Sequence, residues 1–177
     1  EARPRPAPPP RTGTGAGQGA DVFLHVQAKR AGKIKGEAKS TGHTDDIVVQ
    51  GWRWGLSASA ALGTGRATAR RSYSALTIDK QVDSATTALM AALATNDEIK
   101  EAKLTMRRAG GSQEDYFLIT LKDARITSVQ HEADAHGDTV EQVAIAFTKV
   151  EVEYRGQQAS GGRGASTVFT DELTSNE

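Results

Sequence analysis

The residues of this 177-residue chain most able to do chemistry are two histidines five apart, His131 and His136, with Glu132 and Asp134 between them. A helical zinc site of the protease type needs histidines four apart, with a glutamate beside the first, so that both imidazoles face one way. The spacing here departs from that, the stretch is polar, and no third strong ligand is near in sequence, so it reads as a solvated loop between two strands. Gly110-Gly111 offers backbone amides to an anion, but no helix follows and a plain turn accounts for the pair. Gly13, Gly15, Gly17 and Gly19 alternate as in a phosphate loop, yet they follow no strand and open no helix. Trp52 and Trp54, spaced by two, share a strand face. They suit either a stacking platform for a base or sugar, or a core or subunit contact. Arg70-Arg71 and Arg107-Arg108 read as solvated or interface charges. No nucleophile–base pair, paired carboxylates or nucleotide motif stands out. The expectation is a protein that is not an enzyme and uses no cofactor and no metal.

Composition narrows the partners. Lys and Arg number 22, as do Asp and Glu, so the formal net charge is zero. That removes the electrostatic case for nucleic acid or an anionic membrane and favours the contact reading of the two tryptophans. Zero charge also gives little protection against self-association, which suits a protein that assembles. Without cysteine there is neither a disulfide framework nor thiolate chemistry. The longest apolar run, residues 88–94, is far short of a membrane span, and the N-terminal region lacks the apolar core of a secretory signal. All five prolines lie within residues 1–20, followed by alternating glycines, a composition unable to bury enough apolar area to order itself. Residues 1–20 are therefore read as a disordered leader, residues 21–173 as one folded domain, and residues 174–177 as a flexible tail.

The elements that would position these residues are mostly strands. The exception is residues 83–96, where Asp83 or Ser84 can cap a helix and Asn96 can stop it in the left-handed conformation. Because residues 88–94 are all apolar, that helix is expected to be buried on every side, with a sheet curled around it. Val22, Leu24 and Val26 alternate in a first strand, and residues 33–39 read as its partner. A strand over residues 46–55 carries the tryptophans. Residues 55–66, rich in Gly, Ser and Ala, read as a long functional loop, and strand character returns over residues 67–80. Residues 103–108 and 116–122 flank a Gly-rich loop as the clearest hairpin, with residues 125–129 extending or following its second strand. Along residues 139–154 the apolar side chains switch from odd to even positions. A strand cannot change faces without an extra residue, so a bulge is expected near Thr148-Lys149. A glycine-rich loop and a short strand at residues 167–169 close the chain. The class is mainly β: an antiparallel β-barrel of two packed sheets with one buried α-helix.

Asp21-Val-Phe-Leu, Gly36-Glu, Gly51-Trp-Arg-Trp-Gly55, Leu76-Thr-Ile78, Val82-Asp83-Ser84, Leu104-Thr-Met-Arg-Arg-Ala-Gly-Gly111 and Ile145-Ala-Phe-Thr-Lys-Val-Glu-Val-Glu-Tyr154 follow one another along the chain. In this order the motifs resemble the haemolysin-coregulated protein (Hcp) family, the inner-tube protein of the bacterial type VI secretion system. The resemblance covers roughly residues 20–173. It implies a hexameric ring that stacks into a tube inside a contractile sheath, beneath a spike, and carries small effectors in its lumen. Such a protein waits in the bacterial cytoplasm and is then secreted without a signal peptide. The resemblance also implies that residues 51–66 reach a neighbouring subunit, with Gly51, Trp52, Arg53, Trp54, Gly55, Leu56, Ser57, Leu62 and Arg66 at the interface. The Pro/Gly-rich leader has no counterpart in the family pattern. Two other readings stand beside this one: a monomeric β-barrel that binds a small ligand or metal, and the tube protein of a related contractile injection particle.

Overall fold

The computed structural model describes residues 21–59, 70–108, 114–157 and 163–173. Alternation becomes strand wherever one face can be buried. Thus β1 (Asp21–Ala28) buries Leu24, Val26 and Ala28, and pairs on one side with β8 (Ile99–Arg107) along its whole length. On its other side it is shared between β2 (Gly32–Ile34) and β3 (Ile47–Val49). The expected partner strand over residues 33–39 is cut short at Ile34. Gly36 sits so close to the backbone of Asp46 and Ile47 that a Cβ would lie 2.5 Å from the Asp46 carbonyl oxygen. Residues 35–46 instead form a strap, bonded to itself through Gly36 N–H to Asp45 O and Ala38 N–H to Asp46 O.

The spine of the fold is β9 (Asp115–Ala133), 19 residues long. Its first part lies between β8 and β11 (Lys149–Gln157), and its second part pairs with β10 (Thr139–Ala146). Asp123, in the left-handed region at φ 47°, marks the bend between the two. The path continues from β10 to β7 (Leu76–Gln81) and β4 (Gly51–Arg53), while β11 carries β12 (Arg163–Glu172) at its outer edge. Among the described residues, no single ladder closes this barrel. β3 pairs with β1 and β4 with β7, so residues 47–53 bridge the two edges in two short pieces. One contiguous core of Leu24, Ile47, Leu76, Ile78, Leu104, Ile119, Leu121, Val143 and Ile145 fills the interior.

Three expectations change on this frame. Residues 139–154 are not one bulged strand: β10 ends at Ala146, and a corner at Phe147-Thr148 hands the chain from one half of β9 to the other. The change of faces is real, but the corner produces it. The helix α1 (Thr86–Ala94) is shorter than residues 83–96 and is buried on one side only. Leu89 and Ala92 face the core, whereas Met90 and Leu93 are 47% and 37% exposed. Alanine-rich turns bury little area, so the apolar composition did not require enclosure. Ala85 occupies the N-cap; Asp83 accepts the Ala85 N–H at 2.9 Å and donates its own N–H to Thr86 Oγ1 at 3.0 Å, so Asp83 acts two residues before the N-cap. Asn96, at φ 54°, stops the helix as its side chain allows.

The loop expected from Gly55 begins as a strand. β5 (Leu56–Ala58) pairs with β6 (Arg71–Tyr73) in a separate two-stranded sheet, and β12 runs well beyond the short strand expected at residues 167–169. The leader at residues 1–20, the tail at 174–177, Leu62, Arg66 and the Gly110-Gly111 turn lie outside the described residues.

Candidate subunit-contact site

β4 is held to β7, and Trp52 within it and Trp54 just after it lie in aromatic neighbourhoods. Trp52 lies 6.4 Å from the Phe117 ring, and Trp54 lies 5.8 Å from Tyr73 and 6.4 Å from Phe147. Tyr73 meets Phe147 edge-on at 5.4 Å and 78°. Both tryptophans are half-buried and pack against the core, which is the core-contact half of their sequence reading. The indole N–H of Trp54 is buried and finds no hydrogen-bond partner among the described residues. Gly51 abuts the Asp79 side chain, and Arg53 is exposed with its guanidinium 3.5 Å from the Asp79 carboxylate. The Gly55 carbonyl accepts the Ser74 N–H at 3.0 Å and sets the start of β5.

Leu56 and Ser57 then sit on the β5–β6 hairpin. Leu56 is 47% exposed, and Ser57 Oγ is 3.2 Å from Ser72 Oγ. On the opposite face of β6, Arg71 and Tyr73 converge on Asp171 of β12. Arg71 Nη2 donates to Oδ1 at 3.0 Å, Arg71 Nε donates to Oδ2, and the Tyr73 hydroxyl donates to Oδ2 at 2.7 Å. These bonds from Arg71 and Tyr73 hold the Asp171 carboxyl down to about 2. Burial, together with the bond to Asp171, pushes the Tyr73 phenol up to about 12. A groove of about 510 Å³ runs between the hairpin and β12, with Leu56 on one wall and Phe169 on the other. Phe169 and Val168 are both exposed. The sequence reading of Arg71 as a solvated or interface charge missed this clamp, because its partner lies a hundred residues away.

Two further charged clusters were also out of reach of the sequence. Lys80 and Glu141, cross-strand neighbours on β7 and β10, are fully buried as an ion pair. Lys80 Nζ also lies 2.8 Å from Asp83 and 3.3 Å from Thr86 Oγ1. His131 Nε2 is 2.8 Å from the other oxygen of Glu141. Burial works to raise the Glu141 carboxyl, but the bonds from Lys80, His131 and Thr86 outweigh it and hold it below the usual range. His131 is therefore a strand residue, not part of a solvated loop, and only His136 belongs to the turn. The strand geometry sends the imidazole inward to Glu141, away from His136. Among the described residues, no three His, Asp or Glu side chains are grouped to hold a metal ion.

The second cluster pins the strap. His43 is buried, stacked on Phe23 at 4.4 Å and 8°, with Nδ1 2.9 Å from Asp46 and Nε2 3.1 Å from Asp115. Arg107, read from the sequence as a solvated or interface charge, is buried as well. It donates to Asp115 at 3.2 Å and to the Thr41 carbonyl at 2.7 Å, and its guanidinium lies 5.6 Å from the Phe23 ring centre. Arg108 donates to the Arg155 carbonyl and covers Tyr116.

Residues 23–154 match the family described as type VI secretion system effector, Hcp. The chain belongs to the Hcp family. Protein hcp1 of Pseudomonas aeruginosa is 34% identical over 152 residues, covering 84% of this chain and 91% of that protein. The major exported protein of the same organism is 27% identical over 135 residues, covering 71% and 78%. A solved type six secretion system protein superposes with a TM-score of 0.79 at 20% identity, covering 90% of this chain and 99% of that one, which is a likeness of fold. The fold is thus that of Hcp structures, mainly β and antiparallel with one helix, as the motifs implied. Within this Hcp chain, the segment that follows β4 enters the β5–β6 hairpin clamped to β12.

Proposed function

We propose that this Hcp chain is a structural subunit of the type VI secretion inner tube. Six copies close into a ring, rings stack, and the tube is exported from the bacterial cytoplasm by a contractile sheath beneath a spike, with small effectors carried in the lumen. The observation that carries this reading is the family match over residues 23–154, in a chain whose hairpin and outer strand expose Leu56 and Phe169 on the two walls of one groove. Exposed apolar residues gathered around one groove are what a protomer leaves for another protein to cover. Leu56 and Ser57 are the described members of the proposed contact. Trp54, packed against Tyr73 and Phe147, sets the base of the hairpin, and Gly51, Trp52, Arg53 and Gly55 lead the chain to it. Leu62 and Arg66 belong to the same proposed contact by their place in the sequence.

Light scattering across a range of concentrations, with negative-stain images of the same fraction, tests the reading. The expected result is a six-copy particle with an open centre, and its loss in Leu56→Glu. A monomer at every concentration would overturn the tube reading.

A further inference from the structure

Among the described residues, the β5–β6 hairpin shares no backbone ladder with the ten-stranded sheet. Two-stranded ribbons are marginal in water, so something outside the ladder must set its pose. Two attachments do so. At the base, Gly55 O and Ser74 N–H bond across the hairpin's root, beside the Trp54–Tyr73–Phe147 aromatic cluster. Farther out, a single carboxylate, Asp171, collects both Nε and Nη2 of Arg71 and the hydroxyl of Tyr73. Arg71 Nη2 also donates to the Glu172 carbonyl at 3.1 Å, and the Glu172 N–H donates to Asp171 Oδ1 at 2.9 Å, fixing the carboxylate itself. A bidentate guanidinium fork defines an orientation as well as a distance. Asp171 stays ionised and Tyr73 stays protonated throughout the range between about 2 and about 12, so the clamp is a permanent fixture rather than a titrating one.

We propose that Asp171 is a positioning residue that holds the β5–β6 hairpin in the pose required to meet a second copy of this chain, without itself having to touch that copy. The proposal rests on the tube-subunit reading, in which the hairpin is the contact. Its logic is preorganisation: a hairpin free to leave β12 spends only a fraction of its time competent to bind, and apparent affinity falls by that fraction.

The test uses the full chain and three variants: Asp171→Asn, the charge-swapped pair Arg71→Asp with Asp171→Arg, and Leu56→Glu. Hydrogen exchange of the amides of residues 56–58 and 71–73 reports the latch, and the concentration at which assemblies form reports its consequence. Asp171→Asn is expected to speed exchange in the hairpin while leaving β8 and β9 protected. It should raise the assembly concentration about tenfold, the shift expected if the competent pose falls to one-tenth occupancy. The charge-swapped pair should recover much of both. If Leu56→Glu leaves assembly intact, the hairpin is not the contact and the underlying reading of the segment fails. If Leu56→Glu blocks assembly while Asp171→Asn changes neither exchange nor assembly, the latch alone is overturned. Faster exchange with unchanged assembly overturns it too.

Discussion

The buried Lys80–Glu141 pair allows a quantitative test of what holds the barrel together. Both side chains are fully inaccessible, one on β7 and the other on β10, between the start of α1 and the end of β9. The two are not symmetric. Without Lys80, Glu141 keeps the neutral Thr86 hydroxyl and the His131 ring but no lysine, and Asp83 loses its cation, leaving two carboxylates near one another under the helix. Without Glu141, Lys80 still has Asp83 at 2.8 Å and Thr86 at 3.3 Å. Removing one partner of a buried pair costs about 3–5 kcal/mol, because the survivor's charge is stranded. Lys80→Met should fall at the upper end of that range and Glu141→Leu at or below its lower end. For a chain of this size, 3–5 kcal/mol corresponds to a drop in Tm of about 6–20 °C. The double variant Lys80→Met/Glu141→Leu should recover most of the loss, since a well-packed apolar pair replaces a buried ion pair at little net cost. The assay is urea denaturation at one fixed protein concentration, so that assembly contributes equally to every variant. A Lys80→Met cost below about 1 kcal/mol, or a double variant as unstable as the two losses added together, would refute the reasoning.

Four further outcomes follow from the same coordinates. Gly36→Ala should destabilise by about 1–3 kcal/mol, since the new methyl meets the Asp46 carbonyl and the strap backbone cannot yield cheaply; Gly55→Ala, with Ser74 Oγ at 3.6 Å, is the comparison that should unfold near the parent temperature. On α1, Leu89→Ala should cost about 2–5 kcal/mol in denaturation, whereas Met90→Lys should stay within about 0.5 kcal/mol, because only Leu89 faces the core. Acid should destabilise the fold through Glu141, Asp97 and Asp171, all held below their usual range. Their contribution is complete above the ordinary carboxylate range and disappears as pH falls through the lowered values, so Tm should drop on acidification below about 4. Glu141→Gln should flatten that drop; an unchanged acid limb would argue against a role for this carboxylate. At the other end, Tyr73 is raised, so its contribution is full below the usual phenol value of about 10 and lost as pH rises toward 12. Ultraviolet titration should find one tyrosine ionising late, and Asp171→Asn should return it toward normal.

Much of the fold could be read from local pattern. The alternation in residues 22–26, the hairpin flanking residues 109–113 and the stop at Asn96 each depend on neighbours within a few residues, and the structure has β1, the β8–β9 hairpin and the end of α1 in those places. The errors share a cause. Burial of α1 depended on which of its apolar faces met β9, and composition does not encode that choice. The face change over residues 139–154 was visible, but a corner and a bulge produce the same parity switch in sequence. Gly36 ended β2 through a close approach by Asp46, ten residues onward. At the proposed contact, the spacing of Trp52 and Trp54 made the segment conspicuous, while nothing near Arg71 announced Asp171. Lys80 and Glu141 look like ordinary polar positions of two strands until the register sets them opposite one another.

The sharing of β9 between two halves of the barrel also constrains the order in which the molecule can come into being. Two of the long ladders join segments that leave the ribosome far apart in time: β1 waits for β8, and β7 waits for β10. At synthesis rates of about 5–20 residues per second, β1 remains without its principal neighbour for about 4–14 s after it is made. Until then only the brief β1–β2, β1–β3, β4–β7 and β5–β6 pairings can form, and none encloses apolar surface of any extent. Maturation is consequently a late, concerted event, slow in the manner of chains dominated by distant pairings. A nascent chain halted before β9 would present a naked β1–β8 ribbon, and quality control would meet it as an unfinished edge rather than as a small folded piece.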